Sequence, residues 1–371
     1  MVDLLGQYKE IEEEILTAIK GVIESSAFIN GPDVQEFAKE LAQQLECDHI
    51  IPCGNGTDAL QIAFMGLGLQ PGDEVIVPAF TYVASMEIIA LLQLTPVFVD
   101  VDPKTFNIDP EKVVEAITPK TRAIIPVHLF GQCADMENIQ KIAAEHNLYV
   151  VEDTAQAIGS AYTFADGTRK YAGTMGDIGT ISFFPSKNLG AYGDGGAMAC
   201  NNQELAVRLK MISTHGQSKK YYHEIIGVNS RLDTLQAALL RVKLKYLKDY
   251  EKRRQKAAEY YDQRLAAISG FEIPYRNPHS THVFHQYTIQ VKEGKRDKLK
   301  EFLMEKGIPS MIYYPLPAHQ QEAYKHYCPQ GNFPIAENLC QEVLSLPIHT
   351  QLTEEQQDYI CTTIAEFYNE S

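Results

Sequence analysis

No run of apolar residues in this sequence is long enough to span a bilayer. Its opening stretch, MVDLLGQYKEIEEE, is acidic and amphipathic where a secretory leader would be basic and then apolar. Cysteine is scarce and unpatterned: the seven residues Cys47, Cys53, Cys133, Cys200, Cys328, Cys340 and Cys361 are odd in number and include no C-x-x-C pair. That distribution argues against a disulfide framework and a zinc site, and for reduced thiols. Positive charge is also short, with 33 Lys and Arg against 48 Asp and Glu and a formal charge of −15. A field of that sign repels nucleic acid and acidic membranes, and leaves room for an anionic small molecule only where basic groups gather locally. Repeats, low-complexity segments and a flexible linker are missing too. The expectation is a cytoplasmic protein with no metal, nucleic-acid or membrane partner.

What is present is an ordinary globular balance, 45% hydrophobic and 22% charged over 371 residues, long enough for one large domain and a smaller one. Between residues 49 and 200, β-rich apolar runs alternate with helical stretches. The strand candidates are HIIPC (49–53), EVIVP (74–78), TPVFVDV (95–101), RAIIPVH (122–128), LYVVED (148–153), TISFF (180–184) and GAMAC (196–200). They lack clear two-residue alternation, which predicts an α/β fold whose sheet is buried on both faces. Two helices precede this region, the second starting at Pro32–Asp33 after FINGPD. A long helical stretch over 231–268 is followed by a strand (FHQYTIQV), a helix (KRDKLKEFLMEKG), a strand (PSMIYY) and a final helix, the pattern of a smaller α+β domain. The expected division is 1–250 for the large domain and 251–371 for the small one.

Four segments at the carboxyl ends of strand candidates carry the chemistry. CGNGTDAL (53–60) opens a helix with glycine and threonine, so it suits either an anion at the helix N-terminus or a simple cap by Thr57 or Asp58. VVEDTAQAIGS (150–160) ends a buried strand on Asp153, which needs a partner there, with Gln156 three residues on. FFPSKNLGAYGDGG (183–196) sets Lys187 before a glycine-rich loop. It lacks the glycine before lysine of a Walker loop and the G-x-G-x-x-G spacing of a dinucleotide site. Ser182 and Ser186 offer hydroxyls. GVNSRLDTLQAA (227–238) places Asn229 and Arg231 ahead of a helix, where they suit phosphate or carboxylate recognition as well as salt bridging. One requirement unites the four. Pyridoxal phosphate needs an anion cradle, a lysine, a carboxylate for its ring nitrogen and an aromatic neighbour, and PAFTYVAS (78–85) offers Tyr82 or Phe80 for the last. His128 and His215 read as structural or as supports behind the site.

In the order NGTDAL, FTYVA, EDTAQ, SFFPSKNLG, GDGG, GVNSRLDTLQAA and YYPLP, the chain resembles the DegT family of nucleotide-sugar aminotransferases over nearly its whole length. Within that family it looks most like UDP-2-acetamido-2-deoxy-3-oxo-glucuronate aminotransferases. The resemblance implies a fold-type I, aspartate aminotransferase-like transferase dependent on pyridoxal 5′-phosphate (PLP), with a mixed, mainly parallel sheet between helical layers and a smaller C-terminal α+β domain. It implies transfer of an amino group from L-glutamate to a nucleotide-linked keto sugar for surface polysaccharide, by a homodimer. Lys187 would be the lysine that joins the cofactor. Asp153 would hold its ring nitrogen and Gln156 its ring hydroxyl, with Tyr82 stacked on the ring. Gly56, Thr57, Asp58 and Ser182 would bind the phosphate, with Asn229 arriving from the neighbouring subunit. Arg231, Tyr313, Tyr314 and His319 match sugar-contacting positions. The chain departs from the closest uronate-type pattern in carrying Tyr313-Tyr314 where His-Tyr is expected. Related dehydratases usually replace the lysine by histidine, which Lys187 disfavours, and a PLP-binding regulator without turnover is the other reading.

Overall fold

A computed structural model describes residues 1–370. The chain begins with α1 (Leu4–Glu10), α2 (Glu12–Ser25) and α3 (Pro32–Leu45). Pro32 and Asp33 start α3, and its Val34, Phe37, Leu41 and Leu45 recur at helical spacing on one buried stripe. The alternating region follows as β1 (His49–Cys53), α4 (Gly56–Leu67), β2 (Glu74–Pro78), α5 (Ala84–Leu91), β3 (Thr95–Val99), α6 (Pro110–Ala116), β4 (Thr121–Ile124), α7 (Met136–His146) and β5 (Tyr149–Asp153). A short hairpin, β6 (Ala161–Thr163) and β7 (Arg169–Tyr171), leads to β8 (Ile178–Ser182), β9 (Gly196–Cys200) and α8 (Gln203–Ile212). A second hairpin, β10 (Gln217–Lys219) and β11 (Tyr222–His223), precedes α9 (Thr234–Leu244) and α10 (Leu247–Leu265). The remainder is β12 (Phe271–Glu272), β13 (Tyr287–Val291), α11 (Arg296–Glu305), α12 (Pro334–Glu342), β14 (Val343–Leu346) and α13 (Glu354–Glu370).

Seven strands form the main sheet in the order β1-β9-β8-β5-β4-β2-β3, all parallel except β9. The expected mixed, mainly parallel sheet between helical layers is therefore the observed fold. One face sets Ile51, Val75, Val77, Val151, Ile178 and Met198 against α4, α5 and α8. The other sets Ile50, Ile181, Ala197 and Ala199 against α3 and α9, and Ile76, Val99, Ile124 and Val150 against α6 and α7. Both faces are covered, so most strand positions are apolar and the alternation disappears from the sequence.

A second core lies between α10, α11 and α13 and the antiparallel sheet β12-β13-β14. Three details differ from expectation. PSMIYY is not a strand: it makes only an isolated bridge from Met311 to Ser345, and the partner of β13 is instead β14. The helical stretch 231–268 breaks at Lys245–Tyr246 into α9 and α10. Strand pairing in FHQYTIQV begins only at Tyr287, because Phe284 takes φ +46°, outside the extended region. Ala336, Leu339, Cys340 and Val343 return from the C-terminal part to the core beside the main sheet. Among the described residues no helix is long and apolar enough to cross a membrane, and no group of three or more His, Cys, Asp or Glu could hold a metal.

Candidate active site

Parallel strands bring their carboxyl ends to one edge, and the loops that follow β1, β2, β5 and β8 meet there. They line a cavity of about 460 Å³ that includes Gly56, Thr57, Tyr82, Asp153, Gln156, Ser182, Lys187, Tyr313 and Tyr314. With Ser186, which also lines it, ten of the residues singled out from the sequence are thus brought together by four loops and the 313–314 segment.

The start of α4 forms one wall. Its cap is Asn55, whose Oδ1 accepts the Asp58 N–H at 2.8 Å, so neither Thr57 nor Asp58 has the capping role considered above. The helix N-terminus therefore opens on the cavity with Gly56 and Thr57. Two glycines make this packing possible. A Cβ on Gly56 would lie 2.8 Å from Ser182 Cβ, and one on Gly196 would lie 2.4 Å from the Asn55 carbonyl. Unpaired backbone N–H groups and the helix dipole make this wall a seat for an anion.

Opposite lies Asp153, buried at the end of β5. Its Oδ2 accepts the Ser85 hydroxyl at 2.7 Å and its Oδ1 accepts the Ala155 N–H at 3.1 Å. Lys187 follows β8, the neighbouring strand. Burial pushes its amine down from 10.5 to about 8, against the smaller upward pull of the Asp153 carboxylate. Gln156 is already engaged: its Oε1 accepts the Phe130 N–H at 2.9 Å and its Nε2 donates to the Tyr314 hydroxyl at 3.0 Å. Tyr82 is exposed at the mouth, with its ring 6.1 Å from that of Tyr314, whereas Phe80 is a core residue among Phe106, Phe130 and Tyr314. Burial raises the phenol pKa of both Tyr313 and Tyr314.

Asp58, Asn229, Arg231 and His319 are not among the lining residues. The Asp58 carboxylate accepts the Ser230 hydroxyl at 2.6 Å, and Ser230 Oγ accepts the Gly54 N–H at 2.8 Å. Ser230 thus ties its segment to the start of α4, while Asn229 beside it stays exposed and Arg231 half-exposed. His319 is buried outside the cavity, with Nε2 3.2 Å from Glu337 Oε1 and its ring against Phe333.

Residues 9–365 match the sequence profile of the DegT/DnrJ/EryC1/StrS aminotransferase family. The chain belongs to this family. It is 48% identical over 99% of its length to a Geobacillus stearothermophilus protein named pleiotropic regulatory protein, covering 98% of that protein. It is 41% identical over 98% of its length to the Pseudomonas aeruginosa UDP-2-acetamido-2-deoxy-3-oxo-D-glucuronate aminotransferase, again covering 98% of the relative. The structure of S. venezuelae DesV in complex with a ketimine intermediate superposes with a TM-score of 0.94 at 40% identity, covering 99% of this chain and 97% of that one. Other relatives are named as transaminases for dTDP-linked sugars or as GDP-perosamine synthase. The protein is a sugar aminotransferase, and these names do not agree on one sugar.

In this aminotransferase the donor set suits a phosphorylated pyridine aldehyde. A helix N-terminus that a single Cβ would obstruct faces a buried carboxylate and a lysine whose proton is loosely held. Some residues of the site were not foreseen: Ser85, which lies behind Asp153 and does not line the cavity, and the lining residues His285 and Gln286 from the irregular start of FHQYTIQV. The serine left no signal because its partner is 68 residues away. His285 was hidden inside an expected strand, and only the positive φ of Phe284 takes it out of that strand. His128 is structural, as expected: its Nδ1 accepts the Ala134 N–H at 3.0 Å, so its Nε2 proton goes to Glu152 at 2.8 Å.

Proposed function

We propose that this enzyme uses PLP to move an amino group from L-glutamate to the keto carbon of a nucleotide-linked sugar, C3 of UDP-2-acetamido-2-deoxy-3-oxo-glucuronate, for surface polysaccharide. It works in the cytoplasm as a homodimer that shares its active sites. The observation that carries this reading is a lysine of depressed pKa and a buried aspartate on adjacent parallel strands in one cavity.

The N–H groups of Gly56 and Thr57, with the Ser182 hydroxyl, would hold the cofactor phosphate, completed by Asn229 of a second copy; the Asp58 N–H is taken by Asn55 instead. Asp153, whose carboxylate is held by the Ser85 hydroxyl and the Ala155 N–H, would pair with the ring nitrogen. Tyr82 would cover the ring and Gln156 would meet its hydroxyl. When bound, the cofactor supplies an electron-withdrawing ring that makes the α-proton of the amino donor acidic. Lys187 Nζ, about half neutral at pH 8, would be the base that takes this proton and returns it. Arg231, Tyr313 and Tyr314 would contact the sugar nucleotide, and His319, through Glu337, would steady their loop. Residues 1–250 would act as the cofactor-binding domain and 251–371 as the smaller one, with α10 continuous across the junction.

The name of the Geobacillus relative favours a second reading, a cofactor-binding regulator. An absorption spectrum of the PLP-loaded protein before and after L-glutamate separates the two. Collapse of the visible band to a near-ultraviolet one supports the aminotransferase, and an unchanged band supports the regulator. Return of the visible band on adding the UDP-linked 3-keto uronate, but not dTDP- or GDP-linked keto sugars, supports the proposed acceptor. The opposite preference refutes it.

A further inference from the structure

Lys187 sits on a closed loop. The Ala191 N–H returns to the Phe183 carbonyl at 2.7 Å, and the Lys187 N–H to the Phe184 carbonyl at 2.8 Å. The turn is tight enough that a Cβ on Gly190 would lie 2.2 Å from the Pro185 carbonyl oxygen. One side of the loop lines the cavity through Phe184, Ser186 and Lys187, and the other packs Leu189 and Ala191 into the core beside α3 and α9. From that core side α9 sends in Lys243, which is only 1% exposed.

A buried ammonium is costly unless something compensates its lost hydration. Both partners of this one belong to the Lys187 loop. Lys243 Nζ donates to the Gly190 carbonyl and stands 5.3 Å from the centroid of the Tyr192 ring. Among the described residues no carboxylate pairs with it, and Arg254 of α10 faces it as a second cation. Burial first, then Arg254, brings its pKa down to about 8, which leaves it largely protonated at pH 7. Moving the loop away from Lys243 would therefore strand a buried cation. The apolar contacts of Leu189 and Ala191 set how deep the loop lies but carry no direction, whereas a hydrogen bond at Gly190 orients the peptide itself. Two turns earlier on the same helix, Gln236 Oε1 accepts the Tyr192 N–H at 2.9 Å and adds to the hold.

We propose that Lys243 is a positioning residue, whose buried ammonium grips the loop from the side away from the cavity and fixes the backbone that aims Lys187. Its purpose rests on the reading of Lys187 as the base, but the grip is measurable without catalysis. Full-length Lys243→Met keeps a stem of similar length and removes the donor. Without cofactor, hydrogen exchange of the peptide covering 183–192, read by mass spectrometry, is expected to be about tenfold faster than in the wild type, the worth of one hydrogen bond to a charged group. In the PLP-loaded protein, the glutamate-dependent loss of the visible band is expected to reach a maximal rate about tenfold lower, at an unchanged half-saturating glutamate concentration. Tyr192→Leu removes the ring partner at an exposed position that tolerates replacement, and should move both readouts the same way by about threefold. Unchanged exchange in both variants would overturn the grip. Faster exchange with an unchanged maximal rate would overturn the positioning role and leave Lys243 a structural group. A higher half-saturating concentration at an unchanged maximal rate would overturn it too. Wild-type protein that ignores glutamate while the exchange difference stands would instead sink only the reading of Lys187 as the base.

Discussion

Replacing Lys187 by methionine keeps a stem of similar length and removes the amine, which isolates the cost of burying that charge. The folded amine loses its proton near 8 against 10.5 for an ordinary lysine. At about 1.4 kcal/mol per pH unit the gap corresponds to about 3 kcal/mol, reduced to about 2 because the side chain is only half-buried. The sign follows from proton counting. Below pH 8 both the folded and the unfolded chain carry the charge, so the folded protein bears the whole penalty. Between 8 and 10.5 the unfolded chain binds a proton that the folded one does not, and stability rises with pH; above that window the penalty is gone. Cofactor-free Lys187→Met should therefore be more stable than the wild type by about 2 kcal/mol at pH 7. The advantage should vanish as the pH approaches 10.5. Urea melts of both proteins at a series of pH values read this directly, since subtracting them cancels every other titrating group. A stability difference that does not change with pH would mean that the amine is solvated, and the argument for a readily neutralised Lys187 would fail.

Gly56→Val should abolish retention of PLP while leaving the circular dichroism spectrum unchanged, because its Cβ would sit 2.8 Å from Ser182 Cβ where the phosphate is to lie; retained cofactor absorbance would refute the cradle. Asp153→Asn should keep cofactor but lower kcat by at least about 100-fold, since an amide cannot hold the ring nitrogen charged; wild-type kcat would remove Asp153 from the chemistry. Glu152 is fully buried and accepts from His128, Gly173, Met175 and Gly176, so Glu152→Gln turns donors toward donors and should cost about 3 kcal/mol in a denaturant melt, with an unchanged midpoint as the contrary result. Inactive Lys187→Ala and Asn229→Ala proteins, unfolded and refolded together, should regain about a quarter of wild-type activity, because half of the dimers would be mixed and each would hold one intact site. Persistent inactivity would place Asn229 in its own subunit's site.

Much of this site was legible because its parts are local. Thr57, Asp153 and Lys187 each stand just after an apolar run, and a parallel sheet carries all such ends to one edge. Residues whose neighbours are remote in sequence were harder to place. Gln156 turned out to be bonded to Phe130 and Tyr314, and His319 lies behind Glu337 rather than in the cavity. PSMIYY has the composition of a strand, yet the place beside β13 is taken by β14, whose Leu344 and Leu346 fill the small core more completely than the half-exposed 309–314 segment could.

The sequence by itself determined the alternation of strands and helices, the burial of the sheet on both faces and the identity of the groups able to seat a phosphate, hold a ring nitrogen and move a proton. All of these follow from short-range pattern and residue chemistry. Only the tertiary structure decided the electrostatics. Lys187 has a depressed pKa because chains from both ends of the molecule close over it, and His285 faces it because Asn188 and Arg254 hold a turn nearly a hundred residues away in sequence. Desolvation depends on everything packed around a group, and no stretch of sequence contains its own surroundings.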